Sequence, residues 1–266
     1  MGIAIPQKHS NSAKNRVFKM ATSLFPETGE TAHKQAKEEH SIVDDFMYGS
    51  NVATSHVYVR MGFLRKVYGI LTTQLVLTTI VGALFMTVDP IKGFVRENNW
   101  LMGIAAFGSL GLIFALMWKR HETPTNFYLL AAFTVVEAYT VGVIVTFYDV
   151  QVVIEAFALT TGVTVALTIY TLQSKRDFSS IGAGLFACLW ILILSGFLQF
   201  FFMSPFLDRA IAFGGALVFS LFIIFDTHML MHKLSPEEYI LASINLYLDI
   251  INLFLYILRI LGEARK

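Results

Sequence analysis

From position 67 to the C-terminus, long apolar stretches alternate with brief polar breaks. Segments 67–88, 98–118 and 178–207 carry no charge, and segments 127–147 and 150–172 carry one each, Glu137 and Glu155. Segments 210–231 and 239–258 contain Asp226 and Asp249. A bilayer core of about 30 Å needs roughly 20 apolar residues in a helix, so this pattern predicts seven spanning helices. Strands could cross only as a closed barrel with alternating polarity, and these runs are continuously apolar. The breaks are Asp89-Pro90, His121-Glu122-Thr123-Pro124, Tyr148-Asp149, Ser174-Lys175-Arg176-Asp177, Ser204-Pro205 and Ser235-Pro236. The expected fold is all-α: a polytopic membrane protein with a seven-helix bundle over residues 63–266.

Residues 1–62 are of another kind. Lys8, Lys14, Arg16, Lys19, Lys34 and Lys37 mix there with Glu27, Glu30, Glu38, Glu39, Asp44 and Asp45 at low hydrophobicity, which predicts a largely disordered cytosolic tail. No apolar run follows Met1, so insertion is expected to rely on the first span itself. Charged residues make up 15% of the chain, well below the roughly 25% of a soluble domain. The formal charge of +1 excludes a basic nucleic-acid surface. The single cysteine, Cys188, excludes an internal disulfide framework.

With the N-terminus in the cytosol, 14 of the 20 Lys and Arg residues fall on that side, as positive-inside placement prefers. Arg265 and Lys266 oppose this, because seven full crossings export them. Two readings of the last segment stay open: a full crossing, or a re-entrant return to the cytosol.

Ionisable groups inside spans are costly and mark function by default. Glu137, Asp226 and Asp249 lie well inside, whereas Glu155 lies near the start of its span and reads as interfacial. Asn245, Asp249, Asn252 and Tyr256 are spaced by four, three and four, which puts them on one helix face. Glu238 precedes the stripe and Arg259 follows it. Such a face is either a helix–helix seam joined by asparagine hydrogen bonds or a wet, cation-attracting path. Ser235-Pro236-Glu237-Glu238 reads as a capping box that starts the last helix, making an antiparallel hairpin with the helix of Asp226. If the two aspartates meet out of water, they share one proton, and deprotonation opens the pair or lets an oxygen-seeking cation such as Ca²⁺ replace it. Unrelated buried acids are the other reading.

Several motifs carry a family resemblance: Arg60-Met61-Gly62-Phe63-Leu64-Arg65-Lys66-Val67-Tyr68, Thr146-Phe147-Tyr148-Asp149-Val150 and Tyr170-Thr171-Leu172-Gln173-Ser174-Lys175. The most specific are Phe225-Asp226-Thr227-His228 with His232 to Tyr239, and Leu246-Tyr247-Leu248-Asp249-Ile250-Ile251-Asn252-Leu253-Phe254. From about Ser41 onward the chain resembles the transmembrane BAX-inhibitor-motif (lifeguard) family, in its Golgi anti-apoptotic branch. The resemblance implies a pH-sensitive Ca²⁺ leak channel of Golgi or endoplasmic reticulum membranes that protects against apoptosis. It implies that Asp226 and Asp249 are the proton-sharing gate and transient Ca²⁺ ligands, with Arg120 as latch partner of Asp226. Glu137 and Glu238 match acids that modulate flux, and Asn245 and Asn252 join them as pore-lining candidates.

The expected partners are the lipid bilayer and Ca²⁺ as permeant ion, with no cofactor and no nucleic acid, in a monomer or weak oligomer. The alternative is a non-conducting scaffold that binds apoptosis regulators or intracellular Ca²⁺ channels. Intramembrane aspartyl proteolysis is disfavoured, because Leu246-Tyr247-Leu248 stands where Gly-x-Gly would precede the second acid. No Gly-x-Ser-x-Gly or His-Glu-x-x-His motif occurs, so no enzyme is expected. His228 and His232 lie one turn apart but find no third metal ligand in the sequence. Gly182-Ala183-Gly184 and Gly214-Gly215-Ala216 are expected to let helices approach within the monomer, and Trp100 and Trp118 to anchor the second span at its interfaces.

Overall fold

Each apolar run folds as a helix because, without water, backbone groups can be satisfied only within the segment itself. A computed structural model describes residues 57–98 and 100–265. Its helices are α1 (Val57–Thr87), α2 (Asp89–Glu97), α3 (Trp100–Lys119), α4 (Thr125–Val145), α5 (Val150–Gln173), α6 (Gly182–Phe202), α7 (Pro205–His232) and α8 (Tyr239–Ala264). A 3₁₀ turn, Ser179–Ile181, precedes α6. All but α2 are long and apolar enough to cross a membrane, and no strand occurs among the described residues. Most of the tail assigned to residues 1–62 lies outside the described residues. Its last six positions form the first turns of α1.

Two elements depart from the sequence reading, and the expected break at Ser204-Pro205 begins one residue earlier. Residues 89–97 are not a bare connection but a short helix, with proline in its first turn and Asp89 and Arg96 placed to complement the helix dipole. The 178–207 run breaks at Met203, which takes left-handed backbone (φ 44), and Ser204, whose Oγ accepts from Leu207 N at 3.4 Å. The capping box does not form: α8 begins at Tyr239, and Glu238 turns away from its own helix start. At its other end α8 runs on unbroken to Ala264, a span of about 39 Å at 1.5 Å per residue. It contains no turn at which the chain could re-enter, and the full-crossing reading is the one its continuous helix fits.

α8 is the axis of the bundle. It packs antiparallel along α7 and also meets α5 and α4. One apolar core joins Val67 and Leu71 of α1, Phe133 of α4, Ala156 of α5 and Tyr247, Ile251 and Leu258 of α8. A second joins Leu192 of α6, Ile211, Phe219 and Ile223 of α7 and Leu253 of α8. Glycines permit the closest approaches: the Phe225 ring occupies the space a Cβ on Gly182 would fill, at 2.7 Å, and the Tyr256 ring does so at Gly215. Gly182 and Gly215 thus serve packing within one chain, whereas a Cβ on Gly184 would meet open space. Trp100 and Trp118 are exposed at the two ends of α3, where interfacial anchors belong.

Candidate functional site

The antiparallel seam of α7 and α8 carries the central acids. Asp226 lies six residues before the end of α7 and Asp249 ten residues into α8, and their carboxyl groups are within hydrogen-bonding reach of each other. Asp249 is buried (5% exposed), and its Oδ2 has no hydrogen-bond donor among the described residues. Toward the far end of the seam, Tyr256 stacks on Phe219 at 5.8 Å between ring centroids. The polar stripe of α8 therefore faces α7. It is not an asparagine-bonded seam, since Asn252 Nδ2 donates to Leu248 O of its own helix at 2.8 Å. Asn245 is half-buried one turn before Asp249.

Arg120 is not beside Asp226. Its guanidinium lies 3.4 Å from Glu238, and its Nε donates to His121 Nε2 at 3.0 Å. The reason is depth: Arg120 follows the last residue of α3, level with the turn before α8, whereas Asp226 lies about 9 Å down α7 from its end. The expected latch partner and the expected modulator Glu238 thus pair with each other.

Glu137 belongs to a separate polar cluster. Ser109 Oγ of α3 donates to its carboxylate. Beside it Gln74 Nε2 donates to Thr134 Oγ1 at 3.0 Å, and the Thr78 and Tyr247 hydroxyls bond at 2.8 Å. Tyr247 and Asp249, two residues apart, point to opposite faces of α8, so this cluster and the aspartate pair occupy different sides of the axis. Sequence reasoning missed Gln74, Thr78, Ser109 and Thr134, because single hydroxyls and amides in apolar runs form no periodic signal.

Both ends of the seam carry ion pairs. At the far end Arg259 binds Asp208 through Nε and its terminal nitrogen, Arg209 Nε lies 3.2 Å from Glu263, and Arg265 lies 2.7 Å from Glu155. Glu155 is thus an interfacial ion-pair member. Tyr148, Gln199, Met203, Asp208, Arg259 and Glu263 line a polar cavity of about 400 Å³ there. At the turn end, His228 Nε2 lies 3.0 Å from Asp177 Oδ1 of the α5–α6 loop, and the His228 and His232 rings stack at 4.4 Å. Hydrogen bonds from Ser179 hold the Asp177 carboxyl down at about 2, with Lys233 and His228 assisting. No cluster of three or more His, Cys, Asp or Glu side chains suited to a resident metal occurs among the described residues.

Seven helices long and apolar enough to cross a membrane define a polytopic, all-α membrane protein. Residues 60–266 match the family described as "Inhibitor of apoptosis-promoting Bax1", and the chain belongs to it. It is 58% identical over 226 residues to the Golgi anti-apoptotic protein of Vaccinia virus and 57% identical over 226 residues to protein lifeguard 4 of Mus musculus. Each alignment covers 85% of this chain and 95% of the relative. Bax inhibitor 1 of Schizosaccharomyces pombe is 43% identical over 235 residues, covering 88% of each chain.

Proposed function

We propose that this chain is a proton-sensitive Ca²⁺ leak pathway of Golgi or endoplasmic reticulum membranes that restrains apoptosis by setting Ca²⁺ stores. The observation that carries the reading is the facing of Asp226 and Asp249, with a buried Asp249 oxygen that lacks a donor. Two carboxylates held together out of water are stabilised by one shared proton, which bonds them across the α7–α8 seam. Loss of that proton leaves two repelling charges across the seam of α7 and α8. Ca²⁺, a hard cation that takes oxygen ligands, then replaces the proton. Two carboxylates fall short of the six or more oxygens of a tight Ca²⁺ site, and weak binding is what a conducting ion needs in order to leave. The names of the Vaccinia and fission-yeast relatives support the anti-apoptotic role and the Golgi location. The Lys and Arg balance supports a cytosolic N-terminus.

The test is Ca²⁺ flux through purified protein in liposomes from mildly acidic to mildly alkaline pH. The parent leaks with a pH-dependent rate, Asp249→Asn removes that dependence, and Asp226→Asn shifts or removes it. Unchanged rate and pH dependence in Asp249→Asn would take the pair out of the mechanism. Parent protein that leaks no ion would leave the scaffold reading instead.

A further inference from the structure

Followed from the aspartate pair toward the far end, the α7–α8 seam changes character twice. Seven residues beyond Asp249, about 10 Å along α8, Tyr256 lies against α7. Its ring stacks on Phe219 at an interplanar angle of 25° and fills the notch that Gly215 leaves one turn away. Three residues further on, Arg259 and Asp208 border the polar cavity. The tip of the Tyr256 ring, its Cζ and Cε atoms, is the part seated against Gly215, so the side chain lies in the seam and not among the residues that line the cavity.

Around the ring the walls are apolar. Val218 and Phe219 of α7 and Leu253 of α8 are buried, with Ile257 and Ala216 packed against them. Of the α8 stripe, only Asn252 lies between Tyr256 and Asp249. A cation leaving the carboxylates would therefore meet a hydrocarbon constriction before it reached polar groups again. Such constrictions gate by excluding water, and an ion stripped of water there finds no oxygens in return.

We propose that Tyr256 is the plug of this pathway: its ring, seated on Gly215 and stacked on Phe219, separates the Asp226–Asp249 pair from the far-end cavity. The proposal rests on the conduction reading above and adds to it a second barrier that carries no carboxyl group. Gly215 makes the seat, because a Cβ there would occupy the position of the ring.

Two readouts test this. In liposome flux at a pH where the parent leaks slowly, Tyr256→Ala raises the Ca²⁺ rate about tenfold, as loss of a modest barrier does. Gly215→Ala, which pushes the ring from its seat, raises the rate in the same direction, and Tyr256→Phe, which keeps the ring, leaves it at the parent level. The second readout does not require conduction. With Cys188→Ser as background, Asn252→Cys reacts slowly with a membrane-impermeant cationic thiol reagent added at the far end, and faster when Tyr256→Ala is also present. Parent-like flux and parent-like labelling in Tyr256→Ala overturn the plug and leave the conduction reading standing. Labelling that accelerates while no variant leaks Ca²⁺ supports the plug and removes the conduction reading.

Discussion

The Arg120 guanidinium lies 3.4 Å from the Glu238 carboxylate and so ties the end of α3 to the turn that leads into α8. Both side chains are partly exposed, at 35% and 22%, which places the pair nearer the surface regime than the buried one. Neither group reaches the aspartates. The Asp226–Asp249 pair is thus left to balance its own charge, and the Arg120–Glu238 pair to hold the turn end.

Arg120→Ala is expected to cost about 0.2–1 kcal/mol of stability, the range of exposed ion pairs. The cost should vanish in the Glu238→Gln background, as a thermal-unfolding double-mutant cycle in detergent would read. The pH midpoint of Ca²⁺ flux should stay where the parent has it. A midpoint displaced by Arg120→Ala would place the arginine back on the aspartates.

At the far end, Arg259 and Asp208 are about as exposed, at 32% and 28%, but are joined by two hydrogen bonds. Asp208→Ala leaves the guanidinium without its acid and is expected to cost about 1–2 kcal/mol, between the surface and buried cases. The reciprocal exchange, Asp208→Arg with Arg259→Asp, should recover part of the loss in the same melting assay.

Gly142 sits under the Phe85 ring, whose Cδ2 would be 2.8 Å from an added Cβ. Gly142→Ala is expected to destabilise by about 1–3 kcal/mol through overpacking of α1 against α4. Adding Phe85→Leu relieves the clash, so the double variant should melt above Gly142→Ala alone.

The Tyr247–Thr78 hydroxyl bond joins α8 to α1 at 2.8 Å. Tyr247→Phe should lower stability by about 0.6 kcal/mol, the mean for interhelical hydrogen bonds within a membrane. Its pH profile of flux should match the parent, because this hydroxyl faces away from Asp249.

Asp177 is the acid whose titration the loop sets. Its carboxyl is held at about 2 by the Ser179 side chain first, then the Ser179 backbone N–H, Lys233 and His228, against an ordinary value of 3.8. A folded value below the unfolded one stabilises the fold above pH 3.8, and that contribution fades as pH falls from 3.8 to about 2. Ser179→Ala should raise the Asp177 midpoint, measured by carbon NMR of labelled aspartate. An unmoved midpoint would mean that Ser179 does not hold the carboxyl.

Much of the architecture was legible because membrane insertion reads hydrophobicity along the chain. The seven runs became seven long helices, and the spacing of Asn245, Asp249, Asn252 and Tyr256 put them on one face of α8. What was not legible depends on rotation and lateral placement. Nothing in the stretch around Asp208 marks it, yet α7 and α8 bring it to Arg259, 51 positions away. Asp177, in a polar loop, supplies His228 with a partner 51 positions away. The α1–α4–α8 cluster of Gln74, Thr134, Thr78 and Tyr247 joins residues as many as 169 positions apart.

The chain alone determined that its backbone must form membrane-length helices, because apolar runs of that length leave hydrogen bonds no other partner. It determined too which helices carry acids and on which face those of α8 lie. Only the packed bundle decided which groups meet: Asp226 with Asp249, Arg120 with Glu238, and the Tyr256 ring with Gly215. Hydropathy sets depth and period one helix at a time. Partner choice follows from how helices rotate and interlock, a property of their combined surfaces that no single stretch of sequence contains.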